Sequence, residues 1–203
     1  MSARHALLPG EAPETQALAD SARKVLADLH SDQMPQQAVA RHWPLFAELG
    51  WLGACLPEAV GGSGLPLSAW SVLAETLAPA LMTEPLLSQL ALTGYVLSRA
   101  DADDARDALL TRWLAGETRP ALVSATPAVL QSEGGRNPFR CEGVGSESVL
   151  HGQQPGVADV AGCDALLIPA HDAAGPALFL LSAESPGVRL VDHAAIDGRV
   201  HWD

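Results

Sequence analysis

The sequence predicts an α+β protein: an N-terminal all-α helical bundle over residues 1–118, followed by an antiparallel β sandwich or barrel over 119–203. Three observations carry this. Up to Gly116 the apolar residues recur at helical spacing in about five separate stretches. From Arg119 onward they come in short runs punctuated by Gly, Pro, Asn and Asp. Between the helical stretches lies Leu49 to Leu65, LGWLGACLPEAVGGSGL, where Pro57 fixes its own backbone and Gly61, Gly62 and Gly64 open angles closed to other residues. That stretch reads as a rigid crossing threaded through the bundle, with Trp51, Leu52 and Leu56 as its apolar side.

The first helix spans Pro13 to His30, with Leu18, Ala22, Val25 and Leu29 on one face. Ser31, Asp32 and Pro35 interrupt it. The second places Val39, Trp43, Phe46 and Leu49 on one side, and Pro44 is expected to break or kink it or to begin a new turn. After the crossing, Ser68 is the expected cap of a helix with Trp70, Leu73 and Leu77 inward, which Pro79 ends or bends. Glu84-Pro85 opens the next helix, with Leu90, Gly94 and Leu97 on one face and Gly94 marking a close helix approach. Asp101 is the expected cap of the last, with Asp103 and Asp104 against its positive end, Ala105, Leu109, Trp113 and Leu114 inward, and Gly116 as its stop.

Strands are expected at Ala121–Ser124, Phe139–Val144, Val149–His151, Ala165–Pro169, Ala177–Ser182 and Val188–His193. Turn signals at Asn137-Pro138, Gly152, Ala174-Gly175-Pro176 and Ser185-Pro186-Gly187 separate them, which favours antiparallel neighbours. Val200-His201-Trp202-Asp203 reads as the middle of a strand. The change of texture puts the domain boundary near Gly116–Pro120.

Composition excludes several functions. A net charge of −12 is wrong for a nucleic-acid surface. Lys24 is the only lysine and has no phosphate-binding loop around it, so neither a P-loop nor a lysine Schiff base is expected. No apolar run reaches the roughly 18 residues a bilayer span needs. The first residues carry no secretory signal, so the expected location is the cytoplasm. Cys55, Cys141 and Cys163 are odd in number and far apart, which fits reduced, buried thiols. The histidines at 5, 30, 42, 151, 171, 193 and 201 have no metal-ligand spacing, so no metal is expected. The glycines at 61, 62 and 64 match no dinucleotide fingerprint, and Glu58 and Glu75 read as a turn and a surface contact. The tryptophans fit core packing, or the lining of an acyl pocket. The residues taken alone present no catalytic constellation.

Several segments resemble the acyl-CoA dehydrogenase family. FAELGWLGACLPEAVGGSGLPLSAWSVLAETLAPAL is similar to the family's LPE–GG corner and the helix after it. DALLTRWLAGETRPALV is similar to its junction between helix and strand. SVLHGQQPGVADVAGCDALLIPA, joined to ALFLLSAESPGVRL further on, resembles its β-domain signature. The resemblance covers nearly all of residues 12–203.

It implies an oxidoreductase of fatty-acid metabolism that desaturates an acyl-CoA thioester between Cα and Cβ, with FAD as hydride acceptor. It also implies three domains. The C-terminal helical bundle, which usually supplies the catalytic base and completes the FAD site, is absent from these residues, so no catalytic residue is expected in this chain and no turnover by it alone. An electron-transferring flavoprotein and a homo- or hetero-oligomer are the implied partners.

By motif position, the flavin contacts fall on Ala125, Thr126, Ser132, Gly156, Val157 and Ala158. The family's TEP motif reads Ala125-Thr126-Pro127, and its lysine–tryptophan–hydroxyl segment reads Gln154-Pro155-Gly156-Val157-Ala158. Both hydroxyl contacts and the tryptophan are gone, which leaves backbone amides to hold a flavin. Two readings fit this pattern: the front portion of a diverged FAD-dependent dehydrogenase, or a non-catalytic subunit packed against an active partner. A third, a binding module without flavin chemistry, predicts a colourless protein indifferent to FAD.

Overall fold

The computed structural model describes residues 12–29, 39–80, 86–123, 138–143, 148–160, 162–194 and 200–202. Contacts divide the chain into two compact units, Met1–Glu117 and Thr118–Asp203. The first is helical and the second is built on sheets, the order expected for an α+β chain.

In the helical unit, α1 (Pro13–Leu29) buries Leu18, Ala22 and Val25 at the expected spacing, and it packs against α3 (Ser68–Leu77). The second helix, α2 (Val39–Glu48), continues through Pro44. This corrects the expected break. Pro44 is exposed, so the turn gives up one backbone hydrogen bond on its solvent side while Trp43 and Phe46 stay buried on the other. Leu49, expected inside, is 36% exposed because the helix has ended at Glu48.

The crossing is as rigid as its residues demand. Every residue from Trp51 to Leu56 is buried. The chain then doubles back: Ser63 N–H donates to the Gly53 carbonyl at 2.9 Å, Gly64 to Leu56 at 2.8 Å and Leu65 to Ala54 at 2.9 Å. Gly62 is required by space, since a Cβ there would lie 2.2 Å from the Leu56 carbonyl oxygen. The Trp51 ring stacks on Phe46 with centroids 5.0 Å apart, and its Nε1 donates to Ser21 Oγ of α1 at 2.9 Å. Leu114 reaches the corner from α5 (Asp104–Leu114), 3.1 Å from a Cβ on Gly53.

Helix α3 buries Trp70, Leu73 and Leu77 as expected, and a 3₁₀ turn Ala78–Ala80 carries Pro79 out of it. Ser68 is the first helical residue and not the cap; Leu67 precedes it and no side chain caps that end. The Glu84-Pro85 helix start lies outside the described residues. Beyond it a π-helix, Leu87–Gly94, runs into α4 (Tyr95–Arg99). Gly94 does mark a close approach, for a Cβ there would meet the Trp113 ring at 2.4 Å. The cap of α5 is Asp103, whose Oδ1 accepts from Arg106 N at 2.7 Å, and not Asp101. Leu109, Leu110 and Trp113 are its buried residues; Ala105 is exposed. Among the described residues no helix is long and apolar enough to cross a membrane.

In the second unit, the eight-residue strand β5 (Ala165–Asp172) is central. Along one edge it pairs antiparallel with β6 (Gly175–Ser182) over its whole length. On the other, β1 (Pro120–Leu122) runs parallel to it from Pro120↔Ala165, and β2 (Arg140–Glu142) runs parallel at Arg140↔His171. Strand β3 (Val149–His151) pairs antiparallel with β2. A second sheet holds β4 (Val157–Ala158), β8 (Val200–Trp202) and β7 (Asp192–Ala194), all antiparallel.

The parallel pairs correct the wholly antiparallel sheet expected from turn spacing. They join strands separated by long stretches of chain, as parallel neighbours must. The short β4 was not expected as a strand. The hairpin turn is Ala173-Ala174, with Asp172 Oδ1 accepting from Ala174 N at 2.7 Å and Gly175 N at 3.0 Å. The core gathers Ala121, Val123, Val157, Val160, Leu166 and Ile168.

Gly62→Ala should lower unfolding free energy by about 3 kcal/mol, because backbone cannot move aside for a methyl group as a side chain does. Gly50→Ala, at φ +72 with open space around it, should cost only about 1 kcal/mol. Urea unfolding followed by helical circular dichroism separates the two, and equal effects would show that the corner is not close-packed.

Candidate functional site

Of the positions implied as flavin contacts, Ala125, Thr126 and Ser132 lie outside the described residues. Gly156, Val157 and Ala158 come together at the start of β4. Val157 is 5% exposed and points into the sheet core. Gly156 precedes it in the turn that leads into β4 (Val157–Ala158). At Gly156 the backbone is left-handed, φ +69, and nothing lies within 4 Å of a Cβ position. The result is open space over Gly156, next to a residue packed into the core.

Just before this turn, Gln154 is 4% exposed. Its Nε2 donates to the Pro155 carbonyl at 2.9 Å, while its Oε1 is buried with no hydrogen-bond partner. A buried acceptor left unpaired costs about 1–3 kcal/mol, so this oxygen marks where an incoming donor would be received. Both observations fit a flat, hydrogen-bonding group laid over Gly156 at the entrance of β4. Residues 154–158 would hold it through Gln154 and the backbone, with no side-chain hydroxyl or ring to help.

The turn after β4 is set from outside the strand. Asp159 is left-handed at φ +61, the only non-glycine residue so placed among the described residues. Thr118 Oγ1 donates to Asp164 Oδ1 at 2.5 Å, and Arg119 N–H donates to both Asp164 oxygens at 3.2 Å. Burial lowers the pKa of Arg119, with Cys163, Asp164 and Asp159 opposing the shift. Burial also pushes the Cys163 thiol up to about 11, against the pull of Arg119. Sequence reasoning passed over this cluster because Thr118, Arg119 and Asp164 are far apart in the chain. The parallel β1–β5 pairing is what joins them.

In the helical unit Gln89 and Thr93 are each 1% exposed on the π-helix, and Gln89 Oε1 accepts from Trp113 Nε1 at 3.3 Å. An open groove of about 550 Å³ lies between α1 and the end of α2, lined by Ala17, Ser21, Lys24, Val25, Leu45 and Leu49. It gathers no set of reactive groups. Glu58 and Glu75 are both exposed, and neither faces an enclosed site. Cys55 is buried and donates to the Pro66 carbonyl at 3.2 Å, and burial pushes its thiol up to about 11. Among the described residues no group of three or more His, Cys, Asp or Glu side chains is placed to hold a metal.

Residues 12–117, just over half the chain, match the family model described as acyl-CoA dehydrogenase, N-terminal domain. The chain belongs to the acyl-CoA dehydrogenase family. Acyl-CoA dehydrogenase FadE27 of Mycobacterium tuberculosis is 26% identical over 157 residues, which is 77% of this chain and 40% of that protein. The fold is similar to the ChsE4-ChsE5 complex of Mycobacterium tuberculosis, with a TM-score of 0.77 at 20% identity over 97% of this chain and 54% of the solved one. It is also similar to a glutaryl-CoA dehydrogenase of Mycobacterium smegmatis solved with FADH2, at TM-score 0.70 and 17% identity over 94% of this chain and 52% of that one. This acyl-CoA dehydrogenase family chain thus spans about half the length of the solved chains.

Gly156→Ala should cost only about 1 kcal/mol, the strain of a left-handed alanine in open space. Val157→Ala, which empties a core position, should cost about 2 kcal/mol. Thermal melts of the two variants test the assignment of open and packed positions, and the reverse order would overturn it. A thiol raised to about 11 stays protonated through pH 9, so Cys163 should alkylate ~100-fold more slowly at pH 8 than an unperturbed thiol. Its rate should climb as pH rises from 9 to 11, which mass spectrometry of iodoacetamide-treated protein reads directly.

Proposed function

We propose that these residues form the flavin- and acyl-CoA-handling part of an FAD-dependent acyl-CoA dehydrogenase, which removes hydrogen from Cα and Cβ of an acyl-CoA thioester. The observation that carries the reading is the family match over residues 12–117, continued by a β unit with open space over Gly156 at the entrance of β4. FAD, when bound, supplies the acceptor for the β hydrogen. The open space over Gly156 would admit a planar ring, with Val157 anchored in the core beside it and Gln154 Oε1 placed to accept from the ring's edge.

The base that takes the α proton lies outside these residues on this reading. No described carboxylate occupies an enclosed site, and the relatives are about twice as long. A cytoplasmic location, an oligomer and an electron-transferring flavoprotein partner belong to the same proposal.

A second reading has two observations in its favour. The side chains expected at the flavin are replaced by Ala125, Gly156 and Ala158, and a fold neighbour is a two-chain complex. On that reading this chain is a non-catalytic subunit whose partner holds the flavin.

Titration with FAD, monitored by visible absorbance and thermal melting, decides between them. Binding to this chain should add about 2.7 kcal/mol of stability at a hundredfold excess over Kd. A chain that stays colourless and unshifted but co-purifies with a flavin-bearing second chain would transfer the proposal to the subunit reading. A colourless, unshifted chain with no such partner overturns both.

A further inference from the structure

Strand β4 is paired with β8, and the turn that follows it leads to residues contacted from the entrance of β1. Parallel strands begin at the same end of a sheet, so the residues entering β1 meet the residues entering β5. Thr118 and Arg119 therefore reach Asp164, which accepts three hydrogen bonds from them.

The Arg119 side chain goes further. Its Nη2 lies 2.6 Å from where a Cβ on Gly162 would sit, so the guanidinium occupies the space that this left-handed glycine, φ +66, leaves free. Asp159, one residue beyond β4 and itself left-handed, attracts the same cation. Cys163 N–H closes the turn on the Val160 carbonyl at 3.1 Å, and Val160 is 1% exposed in the core. Left-handed Asp159 and Gly162 are thus the two turn residues linked to the half-buried Arg119 side chain.

We propose that Arg119 is a positioning residue, clamping the turn after β4 so that the backbone of residues 156–158 is held at the angle the flavin ring needs. The inference rests on the FAD reading above, but the clamp has a signature of its own that needs no ligand. It depends on positive charge at this position together with the open space over Gly162. Removing the charge frees Asp159 from its left-handed conformation and lets residues 156–160 sample other geometries. Flavin affinity then falls by the fraction of time this backbone is competent.

Hydrogen exchange of the full chain without FAD is the first measurement. Amides 156–160 should exchange about tenfold faster in Arg119→Met, while those of β6 stay as in the wild type. Arg119→Lys, which keeps the charge, should remain near wild type. Gly162→Ala, which pushes the guanidinium out and leaves Arg119 intact, should reproduce the Met variant.

FAD titration is the second, and Kd should weaken about fivefold in Arg119→Met and recover in Arg119→Lys. Unchanged exchange at 156–160 overturns the clamp whether or not FAD binds. Faster exchange throughout β5 and β6 overturns it too, because Arg119 would then be holding the whole sheet. Localised loosening with an unchanged Kd overturns the link to flavin. A wild type that binds no FAD defeats the functional reading and with it the flavin half of this inference, leaving the exchange result to judge the clamp alone.

Discussion

The helical unit depends on one backbone-to-backbone approach, that of Gly62 to the carbonyl of Leu56. With less than a methyl group of room between them, the chain can double back and satisfy residues 63–65 on the carbonyls of 53–56. That leaves an apolar wedge, Trp51 to Leu56, with the carbonyls of Trp51, Gly53, Ala54 and Leu56 already paired, as buried irregular backbone requires. The wedge then serves three helices. Trp51 bonds to Ser21 of α1 and stacks on Phe46 of α2, and Leu114 of α5 fills the hollow over Gly53 and Gly61. A side chain on Gly62 would pull the wedge out of register with all three.

The β unit solves a similar problem by a different route. Its central strand is buried over Ala165 to Ile168 and reads as a continuous apolar run, the mark of a strand covered on both faces. Such a strand needs both edges paired, and β6 takes one entirely. The other is shared end to end by β1 and β2, each arriving in parallel after a long excursion. Sharing that edge brings residues 118 and 119 beside residue 164.

Much of this was legible in the sequence. Periodicity places the buried faces of α1, α2 and α3, and alternation of apolar runs with turns places β3 to the residue and β5 and β6 closely. Helix caps were less legible. Asp101, Asp103 and Asp104 are chemically equivalent as caps, and only the extended backbone of Asp103 chooses it. Pro44 misled because a proline rule assumes the lost hydrogen bond matters, and on an exposed turn it costs less. Strand direction was invisible, since orientation depends on where a chain returns and not on the residues it carries. The candidate site was legible only as a motif register: Gly156, Val157 and Ala158 could be aligned to flavin contacts, but the open space over Gly156 and the unpaired oxygen of Gln154 emerge from three-dimensional packing.

On the flavin reading proposed above, the substitutions along β4 also change what the rest of the unit must do. A hydroxyl or an indole can swing about its χ angles and find a ring that sits slightly off position, so a side-chain contact tolerates an imprecise scaffold. A backbone amide has no such freedom, because its direction is fixed by the φ and ψ of the strand. With glycine at 156 and alanine at 158, tolerance moves from the side chains to the turn that aims them. Gly156 itself is conformationally permissive, which makes the strand easier to misplace. Order there has to be imposed by neighbours: Val157 and Val160 anchored in the core, and Asp164 tied down at the entrance of β5. A diverged strip that relies on main chain therefore requires a stiffer frame than the motif it replaced.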